Sequence, residues 1–182
     1  MMSAWYHNVY DQKESQATFW RSYDMAGISA MIMCSATPPF YYGMMCHSWG
    51  MIWLYQVWFF AIIAFVIAIK PSLAFGKKWV LALAFIVAGY STVPGMIHAT
   101  YYLPEDDIKD FPMSSYLIGG LIYAGGAIIH SLSIPERFLP GKFDTFGNSH
   151  NIFHTCCVIA AMFHWHAAIK TYHLRMFSPC VE

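Results

Sequence analysis

Charged residues are scarce in this sequence. Of its 182 residues only 11% are charged, whereas 58% are hydrophobic. A soluble globular domain carries roughly 25% charged residues, so water could not solvate the surface of a soluble protein with this composition. The formal net charge is zero, and the sequence therefore also lacks the basic surface that nucleic-acid binding requires.

Neither a disulfide framework nor a cleavable signal peptide is visible in the sequence. The cysteines have no framework spacing and most of them lie in apolar stretches; they are Cys34, Cys46, Cys156, Cys157 and Cys180. We therefore expect small buried hydrophobic side chains and no disulfide scaffold. The N-terminus has no basic start followed by an apolar run, which a signal peptide would require.

Long apolar runs, by contrast, are abundant. A helix of about 20 consecutive apolar residues is long enough to cross a bilayer. Five stretches meet this requirement, namely residues 23–46, 51–69, 79–102, 112–132 and 150–169. The connections between them are mostly short and polar. The predicted fold class is all-α, a polytopic membrane helix bundle that forms a single domain over residues 1–182.

The first ten residues, MMSAWYHNVY, are apolar but too short to cross a membrane. As a helix they would extend no more than about 15 Å. We expect them to be the cytoplasmic end of a helix whose earlier part is absent from this chain. The prediction is therefore five full spans and an N-terminal helix stub.

The loops on the two sides of the predicted bundle differ in positive charge. One side has seven cationic residues and the other has three: Lys13, Arg21, Lys70, Lys77, Lys78, Arg137 and Lys142 against Lys109, Lys170 and Arg175. The side of a membrane protein with more lysine and arginine usually faces the cytoplasm. The C-terminus is then predicted to be extracellular or lumenal.

A few ionisable side chains lie within or beside the predicted spans, where they are energetically costly and therefore suggest function. Asp24 is the only acid in a span, although an acid at a helix start can also simply favour the helix dipole. His150 and His154 are four residues apart, so a helix places both imidazoles on one face, where they suit a zinc ion. Histidine is also common at helix ends, which is the alternative. His7, one turn after Ser3, is a weak signal by itself.

The predicted topology places these ionisable side chains at one level of the bilayer. His7 precedes the first cytoplasmic loop, Asp24 follows it, and the histidine pair opens the last helix, for which Ser149 is a candidate N-cap. Three histidines leave one tetrahedral position on zinc open, which is typical of a catalytic site. A nearby acid can orient the attacking water or accept its proton. His130 ends its span on the same side and is a reserve ligand candidate.

Three segments of the chain also carry a family resemblance. Residues 134–154 (IPERFLPGKFDTFGNSHNIFH), residues 22–43 (SYDMAGISAMIMCSATPPFYYG) and residues 3–8 (SAWYHN) contain its motifs. They resemble, respectively, the last cytoplasmic loop with the start of the last helix, the third helix, and the end of the second helix in the progestin and adipoQ receptor family. Within that family the adiponectin receptors are the most similar branch. By this resemblance we expect the family's first helix and most of its second to have no counterpart in this chain.

The resemblance implies a zinc ion held by three histidines in the inner layer of the bilayer, within a bundle of seven helices. By motif match the ligands are His7, His150 and His154. Asp24 matches the acid that contacts the water at the metal, and Ser3 matches the serine one turn before the first ligand. The family is linked to hydrolysis of ceramide to sphingosine and a fatty acid. Its adiponectin branch couples to lipid and glucose metabolism.

The predicted function is that of an adiponectin receptor-like membrane protein with an intramembrane Zn²⁺ site that hydrolyses ceramide-type amides. Its expected partners are membrane lipids and an extracellular adiponectin-like ligand. The alternatives are a non-catalytic receptor in which zinc is only structural, an inactive truncated isoform, and a haem protein with two histidine ligands. The sequence leaves open the ligand, the oligomeric state (a homo-oligomer included) and whether the chain lies in the plasma membrane or an internal membrane.

Overall fold

The computed structural model describes residues 14–74, 78–143, 146–178 and 180. Every regular element in this part of the chain is helical, which confirms the all-α prediction. The α-helices are α1 (Glu14–Pro38), α2 (Ser48–Ile69), α3 (Lys78–Tyr90), α4 (Thr92–Tyr102), α5 (Glu105–Asp110), α6 (Met113–Ser131) and α7 (Ser149–Phe177). A π-helical segment, Pro39–Gly43, follows α1, and a 3₁₀ segment, Pro71–Ala74, follows α2.

Four helical stretches among these residues are long and apolar enough to cross a membrane. They are Ser48–Ile69, Leu83–Tyr102, Met113–Ser131 and Ser149–Phe177. They coincide with four of the five predicted spans, so the prediction of a polytopic helical membrane protein is confirmed. The remaining predicted span, residues 23–46, lies mainly in α1 and the π-helical segment. The predicted N-terminal stub, residues 1–10, lies outside the described part of the chain.

The chain divides into two compact units. The first comprises residues 1–108 and 179–182, and the second comprises residues 109–178. A single domain over the whole chain stays a prediction.

Small residues on α2 and α3 form the centre of the first unit. Ala61, Ala64 and Ala88 are fully buried and cluster together, and larger side chains of α1, α2 and α3, among them Ile32 and Phe85, pack around them. Between apolar helices in a membrane, van der Waals packing replaces the hydrophobic effect, and small side chains let the backbones approach. The alanine cluster therefore explains why these helices pack closely.

The predicted span 79–102 is interrupted at Ser91, which separates α3 from α4. Pro94 is the cause, since proline has no N–H to donate to the carbonyl of Tyr90 and its ring crowds that carbonyl. The Ser91 hydroxyl donates a hydrogen bond of 2.7 Å to the carbonyl of Ala88. This side-chain bond helps to satisfy the backbone where the regular helix is broken.

The expectation for the cysteines was wrong at one pair. Cys46 and Cys180 form a disulfide, with Cα atoms 5.4 Å apart. The two residues are 134 positions apart in the chain, so local spacing could not indicate the pairing. Cys34, Cys156 and Cys157 are not part of a disulfide, but the expectation that they are buried was wrong, since Cys34 is exposed and the other two are half-buried.

The second unit is built on the antiparallel pair α6 and α7, which approach closely at two buried glycines of α6. A Cβ atom at Gly126 would lie 2.7 Å from the Cβ of Cys156, and one at Gly119 would lie 2.4 Å from the ring of His164. A side chain at position 126 would force the helices apart, and one at position 119 would displace the His164 ring. The absence of a side chain at Gly126 therefore sets the spacing of the helix pair that carries His150 and His154.

Candidate metal centre

The structure brings His150 and His154 together on the first two turns of α7. Their Nε2 atoms are 3.0 Å apart, and the two rings meet edge to face with centroids 4.4 Å apart. Both side chains are half-buried. Residues four positions apart lie on the same face of a helix, so regular helix geometry produces this pair.

The nitrogen separation fits two ligands of one zinc ion. Two nitrogens that each lie about 2.0–2.1 Å from a tetrahedral zinc are about 3.3 Å from each other. The observed 3.0 Å differs from that value by an amount that a small rotation of either ring supplies. Within the described ranges, however, no group of three or more histidine, cysteine or acidic side chains is arranged to hold a metal. The pair alone therefore gives two ligands, and a third has to be supplied by another residue.

The other predicted site residues lie in the first unit or outside the described residues. Ser3 and His7 lie outside the described residues. Asp24 lies on α1 in the first unit and is half-buried, whereas the histidine pair belongs to the second unit. A site formed by all five residues stays a prediction.

His130 approaches the pair from α6, the other helix of the same unit. Its ring centroid lies 5.2 Å from that of His150, and the ring stacks on Phe153 at 5.5 Å. The sequence indicated His130 as a reserve ligand, and the structure places it beside the pair. It lines one side of the pair without completing a metal-binding group.

Three hydrogen bonds to side-chain acceptors define the start of α7. Asn148, and not Ser149 as the sequence predicted, is the N-cap, and its side-chain oxygen accepts from the N–H of Asn151 at 2.9 Å. Ser149 instead donates both its N–H, at 2.8 Å, and its hydroxyl to the carboxylate of Glu136. A carboxylate at this position is also favoured by the positive end of the helix dipole.

Sequence reasoning gave Glu136 no role, although the residue lies within the IPERF stretch that carries the family resemblance. The hydrogen bond from the Ser149 hydroxyl is the main cause that holds the pKa of Glu136 below its usual value, with smaller contributions from backbone N–H groups and His130. The carboxylate is thus ionised at neutral pH and acts only as an acceptor. The only local signal was an acid in the loop before a helix start.

Helices of this length, apolarity and number define the class as a multi-pass α-helical membrane protein. Residues 1–165 match the family described as haemolysin-III related. Because the match covers most of the sequence, the chain belongs to this family.

Three relatives agree with this assignment. The chain is 34% identical over 167 residues to the "Adiponectin receptor protein" of Drosophila melanogaster, covering 86% of this chain and 36% of the fly protein. It is 34% identical over 151 residues to "Heptahelical transmembrane protein 5" of Arabidopsis thaliana, covering 80% of this chain and 40% of the plant protein. It is 31% identical over 163 residues to "Progestin and adipoQ receptor-like protein 1" of Caenorhabditis elegans, covering 86% of this chain and 37% of the nematode protein. The predicted family is confirmed, and the chain spans less than half the length of these relatives.

Proposed function

We propose that this chain is an adiponectin receptor-like membrane protein with a zinc site that hydrolyses ceramide-type amides. The observation that supports this most directly is the His150–His154 pair, whose nitrogens lie 3.0 Å apart at the start of a helix long enough to span a membrane. His150, His154 and His7 would together hold the zinc ion. The metal, when bound, supplies a Lewis acid that polarises the amide carbonyl and lowers the pKa of water.

The remaining residues have separate roles in the proposed reaction. Asp24 orients the attacking water and accepts its proton. Ser3 donates a hydrogen bond to the oxygen on which negative charge develops. The water oxygen forms a bond to the carbonyl carbon, the C–N bond breaks, and the amine leaves with a proton. The products are a fatty acid and a sphingosine-type amine, so both remain membrane lipids.

The location of the histidine pair suits a substrate with two long chains. The pair begins the apolar stretch Ser149–Phe177, so a ceramide need not leave the bilayer to reach it. In the proposed orientation the cation-rich loops face the cytoplasm and the metal lies toward the cytoplasmic leaflet. The Cys46–Cys180 disulfide supports that orientation, because the loop order places both cysteines on the opposite side, where thiols are oxidised.

A receptor without catalysis is the second candidate function. It is favoured by the name of the Drosophila relative, "Adiponectin receptor protein", and by the name of the Caenorhabditis relative. In this alternative zinc only ties helices together, and an extracellular adiponectin-like ligand regulates lipid and glucose metabolism through the membrane. In this alternative neither Ser3 nor Asp24 has a catalytic role.

Metal content and lipid turnover of the detergent-purified protein test the two proposals. We expect about one zinc ion per chain, release of fatty acid from ceramide, and loss of both in His150→Ala. His166→Ala is the matched control, since His166 lies exposed on the same helix. Unchanged zinc in the His150→Ala/His154→Ala double variant would contradict the metal site. Stoichiometric zinc in an otherwise inactive wild-type protein would favour the non-catalytic receptor.

A further inference from the structure

An acid from the preceding loop holds the N-terminus of α7. Glu136 lies 13 residues before Ser149 in the chain, in the connection between α6 and α7. One carboxylate oxygen accepts the N–H of Ser149 at 2.8 Å, and the other accepts its hydroxyl hydrogen. Both bonds meet at the residue directly before His150.

We propose that Glu136 is a positioning residue for His150: by fixing Ser149 it sets the direction in which the His150 ring enters the metal site. The proposal rests on the zinc site of the preceding section. The hydrogen bonds that carry it involve protein atoms alone, so they can be tested separately from the metal.

The physical basis is the set of backbone donors that a helix start leaves unsatisfied. The first four N–H groups of an α-helix have no partner within the helix, so an uncapped first turn frays. Here the N–H of Ser149 is bound by Glu136, and the N–H of Asn151 is bound by Asn148. His150 lies between these two anchored residues, so its backbone is fixed from both sides. The direction of its Cα–Cβ bond follows from that backbone.

Ser149 is shielded from water, so water cannot replace Glu136 as its hydrogen-bond acceptor. It is only 3% exposed, so its N–H and hydroxyl would remain buried without an acceptor if the carboxylate were removed. Buried donors are almost always paired in folded proteins. The first turn of α7 would therefore rearrange, and the Nε2 of His150 would leave its position 3.0 Å from that of His154.

The loop presents Glu136 on ordered turns. The N–H of Arg137 donates to the carbonyl of Ser133 at 2.7 Å, and the N–H of Phe138 donates to that of Pro135 at 3.0 Å. The N–H of Ser133 in turn donates to the carbonyl of His130, at the end of α6, at 3.1 Å. Glu136 thus joins the end of α6 to the beginning of α7.

Zinc affinity of the purified full chain, measured by competition with a chelator, tests the proposal. Glu136→Ala removes both acceptors, and we expect it to weaken zinc binding about ten-fold or more, since outer contacts to metal ligands have effects of that size. Glu136→Gln retains the geometry, because its amide oxygen accepts the N–H and its amide nitrogen donates to the hydroxyl; it should restore most of the affinity. Glu105→Ala, at an exposed acid of α5, should leave the affinity unchanged.

Amide hydrogen exchange of the metal-free chain provides the second measurement. In Glu136→Ala the amides of residues 149–152 should exchange faster, while the later turns of α7 keep their protection. That pattern would show that the first turn of α7 loses its fixed position while the rest of the helix stays folded. Ser149→Ala, which keeps the backbone bond and loses the hydroxyl bond, should lie between the wild type and Glu136→Ala.

The outcomes separate this proposal from the one on which it rests. Zinc bound with equal affinity by the wild type and Glu136→Ala would overturn the positioning role and leave the proposed function intact. A wild-type protein without zinc would overturn the proposed metal site, and the positioning role with it. Loss of protection along the whole of α7, to the same extent in Glu136→Gln and Glu136→Ala, would show a general role in stability and overturn the proposal.

Discussion

The contact between Gly126 and Cys156 gives a prediction that depends on α6 and α7 alone. An alanine at position 126 would place its Cβ 2.7 Å from the Cβ of Cys156 and 3.3 Å from its Sγ. Non-bonded carbon atoms are favourable at about 3.5–4.0 Å, so the helices would have to separate locally by about 1 Å. A Cβ atom is fixed by its own backbone, and neither residue can relieve the contact by changing rotamer.

The size of the effect follows from two opposing contributions. Overpacking of a well-packed contact costs about 1–3 kcal/mol, and alanine is more favourable than glycine within a helix by roughly 0.5–1 kcal/mol. Gly125→Ala is the matched control. Apart from its chain neighbours and its own helix backbone, no atom lies within 4 Å of a Cβ at that position. The substitution also gains the same stability from the higher helix propensity of alanine. We therefore expect the free energy of unfolding of Gly126→Ala to be about 1–3 kcal/mol lower than that of Gly125→Ala.

Unfolding of the detergent-solubilised protein by increasing SDS, followed by circular dichroism, measures this difference. Equal unfolding midpoints and slopes for the two variants would refute the steric reasoning. Adding Cys156→Ala to Gly126→Ala should not restore stability, because the Cβ of residue 156 remains. Restoration would show that the Sγ, and not the Cβ, determines the contact.

Three further predictions concern other parts of the chain. Hydrogen bonds lower the pKa of Glu136. Its support of the α7 start is therefore present above the ordinary glutamate pKa and lost as pH falls through the depressed value. The protection of the first-turn amides, measured relative to their exchange rate in the unfolded chain at each pH, should fall over that range in the wild type and not in Glu136→Gln. Gly95→Ala should destabilise the first unit, because its Cβ would lie 2.6 Å from the Phe40 ring and 2.9 Å from Cγ of Trp53. Adding Phe40→Leu should restore only part of the unfolding midpoint, because the contact with Trp53 remains. Alkylation of the denatured chain should modify three cysteines before reduction and all five after reduction, as measured by the mass of the protein. Modification of all five cysteines before reduction would contradict the Cys46–Cys180 disulfide.

Some features of the protein follow from the sequence because they depend on local properties. Span length and apolarity are properties of continuous stretches, so the membrane class and four helical spans could be predicted. The bounds are less exact, since the last predicted span ends at residue 169 and α7 ends at Phe177. The His150–His154 pair follows from the period of the α-helix, which brings residues four apart onto one face whatever surrounds them. The interruption at Ser91 was not predicted, although its cause is local: Pro94 has no N–H to donate to the carbonyl of Tyr90.

Other features were decided by the packing of distant segments. Cys46 and Cys180 are 134 residues apart, and no spacing rule connects them. The need for glycine at position 126 appears only when α7 lies against α6. Glu136 could be identified as an acid near a helix start, but which donors it binds depends on how the intervening loop folds back. A sequence specifies which side chains can interact, and the tertiary structure determines which of them come within hydrogen-bonding or van der Waals distance.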